Sequence, residues 1–327
     1  GTKIEGGRPG VTVDAGEIVG DGFFGIAKLA TRRATGERVV IKLQKIDQRM
    51  ANEELDELQV LAGLGSHPNI VRFLGTVTCN QKIALVTGYC ARGSLDKLHS
   101  QFDMCTDECF ARVALDVCNG VGYLHERRVI HRDIACRNLF MEGNGRVVLG
   151  DFGLARKLDQ QRISTVEKDV YKCHQGIFPR MWAAPESLES SVFYYESDVY
   201  MMAVAFWEIL SGGKRPDVLH RRAMDKKENM LPVMELVPLE LRLGRRILMQ
   251  CLKIDHAARP RAKDVAGALS EWKSKLSRAS KSGSAEIIFR KSSPTQSYSN
   301  SPYDSLPQEV PYDNKPTGEL VYAAADS

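Results

Sequence analysis

Two rhythms divide the chain: apolar positions alternate along the first ninety residues and recur every three to four residues after that. Residues 18–30 alternate around glycines, and residues 38–43 form a β-branched apolar run, both patterns of strands. Residues 50–65 place Leu55, Leu58, Leu61 and Ala62 at helical spacing with acidic residues between them, which predicts one helix. Two more strands are predicted over 70–76 and 83–87. From Ser94 onward helices dominate, and the clearest begins after Thr106. The Thr106 hydroxyl can accept a bond from an amide ahead of it, and Asp107 and Glu108 oppose the helix dipole. Phe110, Val113, Val117, Val121 and Leu124 make its stripe, which reads as core. After Leu276 the chain turns to Ser, Lys, Pro and isolated tyrosines, a composition that cannot bury a core, so a disordered tail is expected. The expected organisation is a lead-in over 1–16, a small strand-rich lobe over 17–90, a helical lobe over 91–276 and a tail over 277–327.

Composition alters this picture little. Hydrophobic residues at 43% and charged residues at 26% are ordinary for a globular chain of 327 residues. The formal net charge of +4 is small, and much of the excess lies in the Lys/Arg-rich stretch 273–291, so no nucleic-acid partner is implied. No apolar run approaches the roughly 20 residues of a membrane helix. The chain opens at Gly1 without a methionine or an apolar leader, as a fragment would, so a membrane span is expected only in upstream sequence. The eight cysteines are scattered without a C-x-x-C pair or zinc-site spacing, which points to reduced thiols.

The chemistry is concentrated in the run His131-Arg132-Asp133-Ile134-Ala135-Cys136-Arg137-Asn138, with Asp151-Phe152-Gly153 following thirteen residues after Asn138. A carboxylate in a loop can accept a hydroxyl proton, and an amide oxygen and a second carboxylate can hold magnesium against phosphates. Upstream, Gly20-Asp21-Gly22-Phe23-Phe24-Gly25 lies between two strand-like segments. A dinucleotide-binding turn would need a helix directly after the last glycine, whereas residues 26–30 continue as a strand. Val39-Val40-Ile41-Lys42 then ends a strand on a lysine.

Together these motifs resemble the protein kinases over about residues 17 to 276. The resemblance implies an α+β bilobed protein kinase fold: a small antiparallel β-sheet lobe with one helix, above a mainly α-helical lobe. It implies ATP and Mg2+ as cofactors. Gly20, Gly22 and Gly25 would cover the phosphates, Lys42 would contact them and Glu57 would pair with Lys42. Register favours Glu57 over Glu53 and Glu54, and Gly65-Ser66-His67-Pro68-Asn69-Ile70-Val71 follows in the family's usual place. Thr87 matches the residue gating the pocket behind adenine, and the Gly88 carbonyl and Cys90 amide would bond its edge. Asp133 would be the base, Asn138 and Asp151 the metal ligands, His131 a packing residue and Arg132 the receiver of a phosphate on Tyr171. Asp198 would anchor the catalytic loop, and Arg259 would pair with Glu186.

The class within the family is read two residues after Asp133. Serine/threonine kinases place a lysine there; this chain has Ala135, and the cation comes from Arg137 instead, as in receptor-type tyrosine kinases. Phe178-Pro179-Arg180-Met181-Trp182-Ala183-Ala184-Pro185-Glu186 is similar to the substrate-facing segment of tyrosine kinases. Protein tyrosines are then the expected substrates, and the expected location is cytoplasmic or the intracellular part of a receptor. A catalytically weak scaffold is the main alternative, and a serine/threonine or dual-specificity enzyme another. The chain departs from the family pattern in exchanging Ala27 and Val40 above adenine and in placing Phe140 beneath it. The loop from Tyr171 to Trp182 is one residue short, Arg180-Met181 replaces an aliphatic-lysine pair, and Tyr200, Ala203, Leu252 and Asp217 are unusual. In the tail, Tyr303 and Tyr312, beside Tyr298 and Tyr322, are expected phosphosites for phosphotyrosine-reading adaptor domains. An apolar residue stands three after Tyr303 and an asparagine two after Tyr312.

Overall fold

The alternating segments form one antiparallel sheet. In the computed structural model, β1 (Val13–Gly22), β2 (Gly25–Arg32), β3 (Arg38–Gln44), β4 (Phe73–Cys79) and β5 (Lys82–Gly88) lie in the order β1-β2-β3-β5-β4. The structure describes residues 13–22, 25–44, 51–79, 82–98, 106–158, 170–173 and 177–281. One face of the sheet closes on a small core of Val13, Ala30, Val39, Ile41, Val77, Ala84 and Val86. The residues between them on β2, β3 and β5 face the other way, as strand alternation requires.

The helix after β3, α1 (Ala51–Leu64), lies inside the expected 50–65. Its buried side is Glu57, Val60, Leu61 and Leu64, spaced i, i+3, i+4, i+7, while Ala62 is exposed and Leu58 half-buried. Of the apolar positions read from the sequence, Leu61 and Leu58 thus face the core and Ala62 does not, the Leu55 side chain lies outside those described, and Glu57 takes an inward position. The expected strand over 70–76 also shifts, to begin at Phe73. Residues 69–71 direct their bonds to the helical lobe: Leu149 N donates to Asn69 O and Val71 N to Leu149 O, each at 2.9 Å, and Asn69 Nδ2 donates to Val147 O at 2.9 Å.

The remainder is mainly helical. After β6 (Gly93–Ser94) and the short α2 (Leu95–Leu98) comes α3 (Asp107–Glu126), capped by Thr106, whose Oγ1 accepts from Cys109 N at 3.2 Å. All five predicted stripe residues of α3 are buried. Gly120 in mid-helix is explained by close approach, since a Cβ there would meet Asn69 O at 2.7 Å. The catalytic run lies between β7 (Val129–Ile130) and β8 (Leu139–Met141), with β9 (Val147–Leu149) completing a three-stranded sheet with β6 and β8. β10 (Arg156–Lys157) pairs with β7, and β11 (Tyr171–Lys172) with β12 (Val192–Phe193), which follows α4 (Pro185–Ser190). The lobe is built around α5 (Tyr195–Leu210), whose residues from Ser197 to Leu210 are all buried. It closes with α6 (Asp217–Met224), α7 (Leu231–Met234), α8 (Arg242–Cys251) and α9 (Ala262–Lys281).

The chain divides into two units, Gly1–Arg278 and Ala279–Ser327. Of the second, only the end of α9 is described, five residues beyond the predicted boundary at Leu276. Tyr298, Tyr303, Tyr312 and Tyr322 lie outside the described residues. No helix among the described residues is long and apolar enough to cross a membrane.

Candidate active site

Strand register gathers the predicted nucleotide-binding residues. Ala27 pairs with Lys42, Val40 with Thr87 and Gly20 with Ala27, and directly paired residues share a face. Gly20, Ala27, Val40, Lys42 and Thr87 therefore stand together on the face opposite the small core. Gly22 ends β1 and Gly25 opens β2, while the intervening Phe23 and Phe24 lie outside the described residues. Gly88 ends β5, and its amide donates to Arg72 O at 2.8 Å. Cys90 is half-buried just beyond, with its carbonyl turned back to accept from Gly93 N at 3.1 Å. Burial, and then the nearby Glu142, push the Cys90 thiol up to about 12, so it stays protonated at neutral pH.

Lys42 joins three elements. Its Nζ donates to Glu57 Oε1 on α1 at 2.9 Å and to Asp151 Oδ1 at 2.6 Å. Burial opposes the ammonium charge, but the Asp151 and Glu57 carboxylates outweigh it and raise the Lys42 pKa. Asp151 shows the converse: burial would raise its pKa, yet Lys42 holds it below the usual value, and the side chain is an anion at neutral pH. Asp151 has φ 57°, a left-handed conformation uncommon outside glycine, and its Oδ1 also accepts from Gly153 N at 3.4 Å. Phe152 is buried with its ring edge-on to His131 at 4.9 Å.

The start of the catalytic run hangs from a buried carboxylate on α5. Asp198 accepts from His131 N at 2.7 Å and Arg132 N at 2.9 Å, and His125 Nε2 lies 3.1 Å away. These bonds hold Arg132 at φ 66°. They also keep Asp198 below the usual carboxylate range although burial pushes the other way. His131 Nδ1 accepts from Asp133 N at 3.3 Å, so Nε2 carries the proton and donates to Gly150 O at 3.2 Å. Burial lowers the His131 pKa and favours this neutral form, which suits a scaffold rather than an acid.

The Asp133 carboxylate pairs with the Arg137 guanidinium, four residues on. Burial raises the Asp133 pKa, and Arg137 partly counters it. Asn138 Nδ2 donates to Asp133 O at 2.8 Å, which leaves the amide oxygen as the free-facing acceptor of that side chain. An amide oxygen and an ionised carboxylate are the hard oxygen donors that magnesium takes, so Asn138 and Asp151 fit that ion. Phe140, half-buried on β8, packs against Gly150: a Cβ there would lie 3.0 Å from Phe140 Cε2.

Tyr171 is buried on β11, with the Arg132 guanidinium 4.4 Å over its ring and 4.6 Å over that of Phe193. Arg259 forks onto Glu186 with bonds of 2.8 and 2.9 Å. Two features escaped the sequence reading. Glu208, a lone acid within the apolar run Phe206-Trp207-Glu208-Ile209-Leu210, bonds both Trp182 and Cys136, and its isolation there was the available signal. His125 reaches Asp198, a contact that no local pattern announces.

The protein tyrosine and serine/threonine kinase family model matches residues 13–269. The chain belongs to this family. Within it, the kinase domain is similar to tyrosine-protein kinase csk-1 of Caenorhabditis elegans, 34% identical over 207 residues, covering 62% of this chain and 36% of that protein. It is 31% identical over 265 residues to human receptor tyrosine-protein kinase erbB-4, covering 78% of this chain and 19% of that protein. It is also 32% identical over 174 residues to serine/threonine-protein kinase STY17 of Arabidopsis thaliana, covering 53% of this chain and 29% of that protein. The chain thus spans little more than a third or less of these relatives, which by name are a tyrosine-protein kinase, a receptor tyrosine-protein kinase and a serine/threonine-protein kinase.

Proposed function

We propose that this kinase domain transfers the γ-phosphoryl group of ATP to tyrosine hydroxyls of proteins. The observation that carries the tyrosine reading is the Asp133–Arg137 pair. The cation beside the base arrives from four residues downstream, and the small Ala135 leaves open the position where a serine/threonine enzyme carries lysine. A long tyrosine side chain can then reach the base from further out.

The residues divide the work. Lys42, held between two carboxylates, presents a fixed ammonium to nucleotide phosphates. Gly20, Gly22 and Gly25 offer backbone amides without side-chain obstruction. Ala27, Val40, Thr87, Gly88, Cys90 and Phe140 would enclose the adenine. Asp133 orients the attacking hydroxyl and accepts its proton, while Arg137 fixes the carboxylate and stabilises charge building on the transferred group. Asn138 and Asp151 would hold magnesium, which, when bound, neutralises phosphate charge during transfer. Tyr171 and the tail residues Tyr303 and Tyr312 are proposed acceptors of autophosphorylation, the tail pair creating docking sites for phosphotyrosine-reading adaptors.

Two peptides differing only in Tyr or Ser at one position test the reading, with phosphosite mapping of the protein itself. Label on tyrosine alone is expected, at Tyr171 and in the tail. Label on serine would favour the class of the plant relative, and no transfer to either would favour the scaffold reading.

A further inference from the structure

Glu208 is 8% exposed in the most apolar helix of the domain, where a carboxylate is costly to bury unless it has partners. It has two, and both use the same oxygen. Oε2 accepts from the Trp182 indole Nε1 at 2.9 Å and from the Cys136 amide at 3.2 Å. Trp182 belongs to the substrate-facing segment, and Cys136 opens the turn Cys136–Asn138 that carries Arg137. The Trp182 ring in turn supports Arg137, whose guanidinium carbon lies 4.3 Å from the ring centre. Arg137 pairs with Asp133. An unbroken series of contacts thus runs from Glu208 through Trp182 and Arg137 to the base. A second, shorter one runs from Glu208 through the Cys136 amide into the same turn.

We propose that Glu208 is a positioning residue for the phosphoacceptor side of the site. It sets the Trp182 ring as a platform for Arg137 and fixes the turn from which Arg137 projects, so that acceptor segment and base keep a common register. None of its contacts runs to Lys42, Glu57 or Asp151, and Asn138 at the far end of the turn is held separately by the Asp133 carbonyl, so nucleotide binding depends on Glu208 little. One oxygen accepts both bonds, so an uncharged acceptor of the same shape keeps them, although the carboxylate also attracts the Arg137 guanidinium. The inference rests on the kinase reading, but not on tyrosine as the acceptor.

The test uses the full chain and whichever matched peptide the wild type labels, so a wrong acceptor class and a wrong Glu208 role give different results. Glu208→Leu removes the acceptor and should lower kcat/KM for the peptide about 5- to 100-fold, the range expected when buried donors lose their partner. The KM for ATP should stay within about twofold, since uniform loss would signal general damage. Glu208→Gln, whose amide oxygen can accept both bonds, should recover most of the loss. Trp182→Phe keeps an aromatic face, though a smaller one, and removes the indole donor, so it should cost part of the same activity, and Glu208→Leu should cost less in that background. Equal losses toward ATP and peptide, a Glu208→Gln enzyme as impaired as Glu208→Leu, or strictly additive losses would overturn the proposal. If Glu208→Leu does not fold, Trp182→Phe and Glu208→Gln decide alone: an unimpaired Trp182→Phe enzyme overturns it.

Discussion

At the scale of single residues, the site is defined by which charges are matched. Lys42 lies between two carboxylates, and Asp198 lies against His125 and the His131 amide, so each stays charged while buried. Asp133 has one cation and a raised pKa, the state of a group suited to take a proton. Beside it, Phe140 and Gly150 form a pair fixed by size. The bulky Phe140, proposed to lie beneath adenine, fits because the position before Asp151 has no Cβ; one built there would lie 3.0 and 3.1 Å from two ring carbons. Gly150→Ala should therefore overpack the floor by about 1–3 kcal/mol and raise the KM for ATP about 5- to 100-fold. Phe140→Leu in the same molecule should restore it. An equal Gly150→Ala effect in both backgrounds would show that the two positions are not coupled.

At the scale of elements, the strands were legible because alternation survives wherever one face is buried. The exceptions have physical causes. The start of β4 was missed because Ile70 pairs with Leu149 across the lobes rather than within the sheet. On α1 the reading of Ala62 as part of the apolar stripe failed, because Glu57, expected as the partner of Lys42, takes one of the inward positions. The motif residues could be found because the resemblance to protein kinases marks them, and Lys42, Glu57 and Asp151 do meet. The Glu208 contacts, which join segments 26 and 72 residues apart, could not, because no motif marks that acid. Elements also explain how Tyr171 could regulate. Its strand β11 pairs with β12, and its ring lies against Arg132. A phosphate adds close to two negative charges, which cannot remain in that packing but can pair with the guanidinium once the strand re-seats. Incubation with Mg-ATP should raise activity of the wild type, and Tyr171→Phe should abolish the rise. A rise that persists in the mutant would assign regulation to another residue.

At the scale of the molecule, the helical lobe is tied together by buried pairs that titrate. Glu186, forked by Arg259, has its pKa lowered: burial alone would raise it, but the Arg259 bonds prevail. A lowered folded-state value contributes stability above the ordinary carboxylate pKa, lost as pH falls toward the folded value. Glu208 and Asp133 are raised, and so act with the opposite sign. The pair is therefore isolated by difference. Removing one partner of a buried pair costs about 3–5 kcal/mol near neutrality, so Arg259→Leu should lower the melting temperature there. That deficit should shrink between about pH 5 and the acid limit of folding. A deficit independent of pH would mean that Arg259 stabilises through its packing and its bonds to the Lys253, Ile254 and Glu196 carbonyls, and not through the Glu186 charge.

The account as a whole depends on Asp133 acting as the base within a nucleotide site that forms without it. Turnover and nucleotide affinity of Asp133→Asn, measured side by side, address this most directly. Turnover on the accepted peptide should fall by about 100- to 10,000-fold, with ATP affinity and melting temperature close to wild type. Near wild-type turnover in that mutant would contradict the central claim.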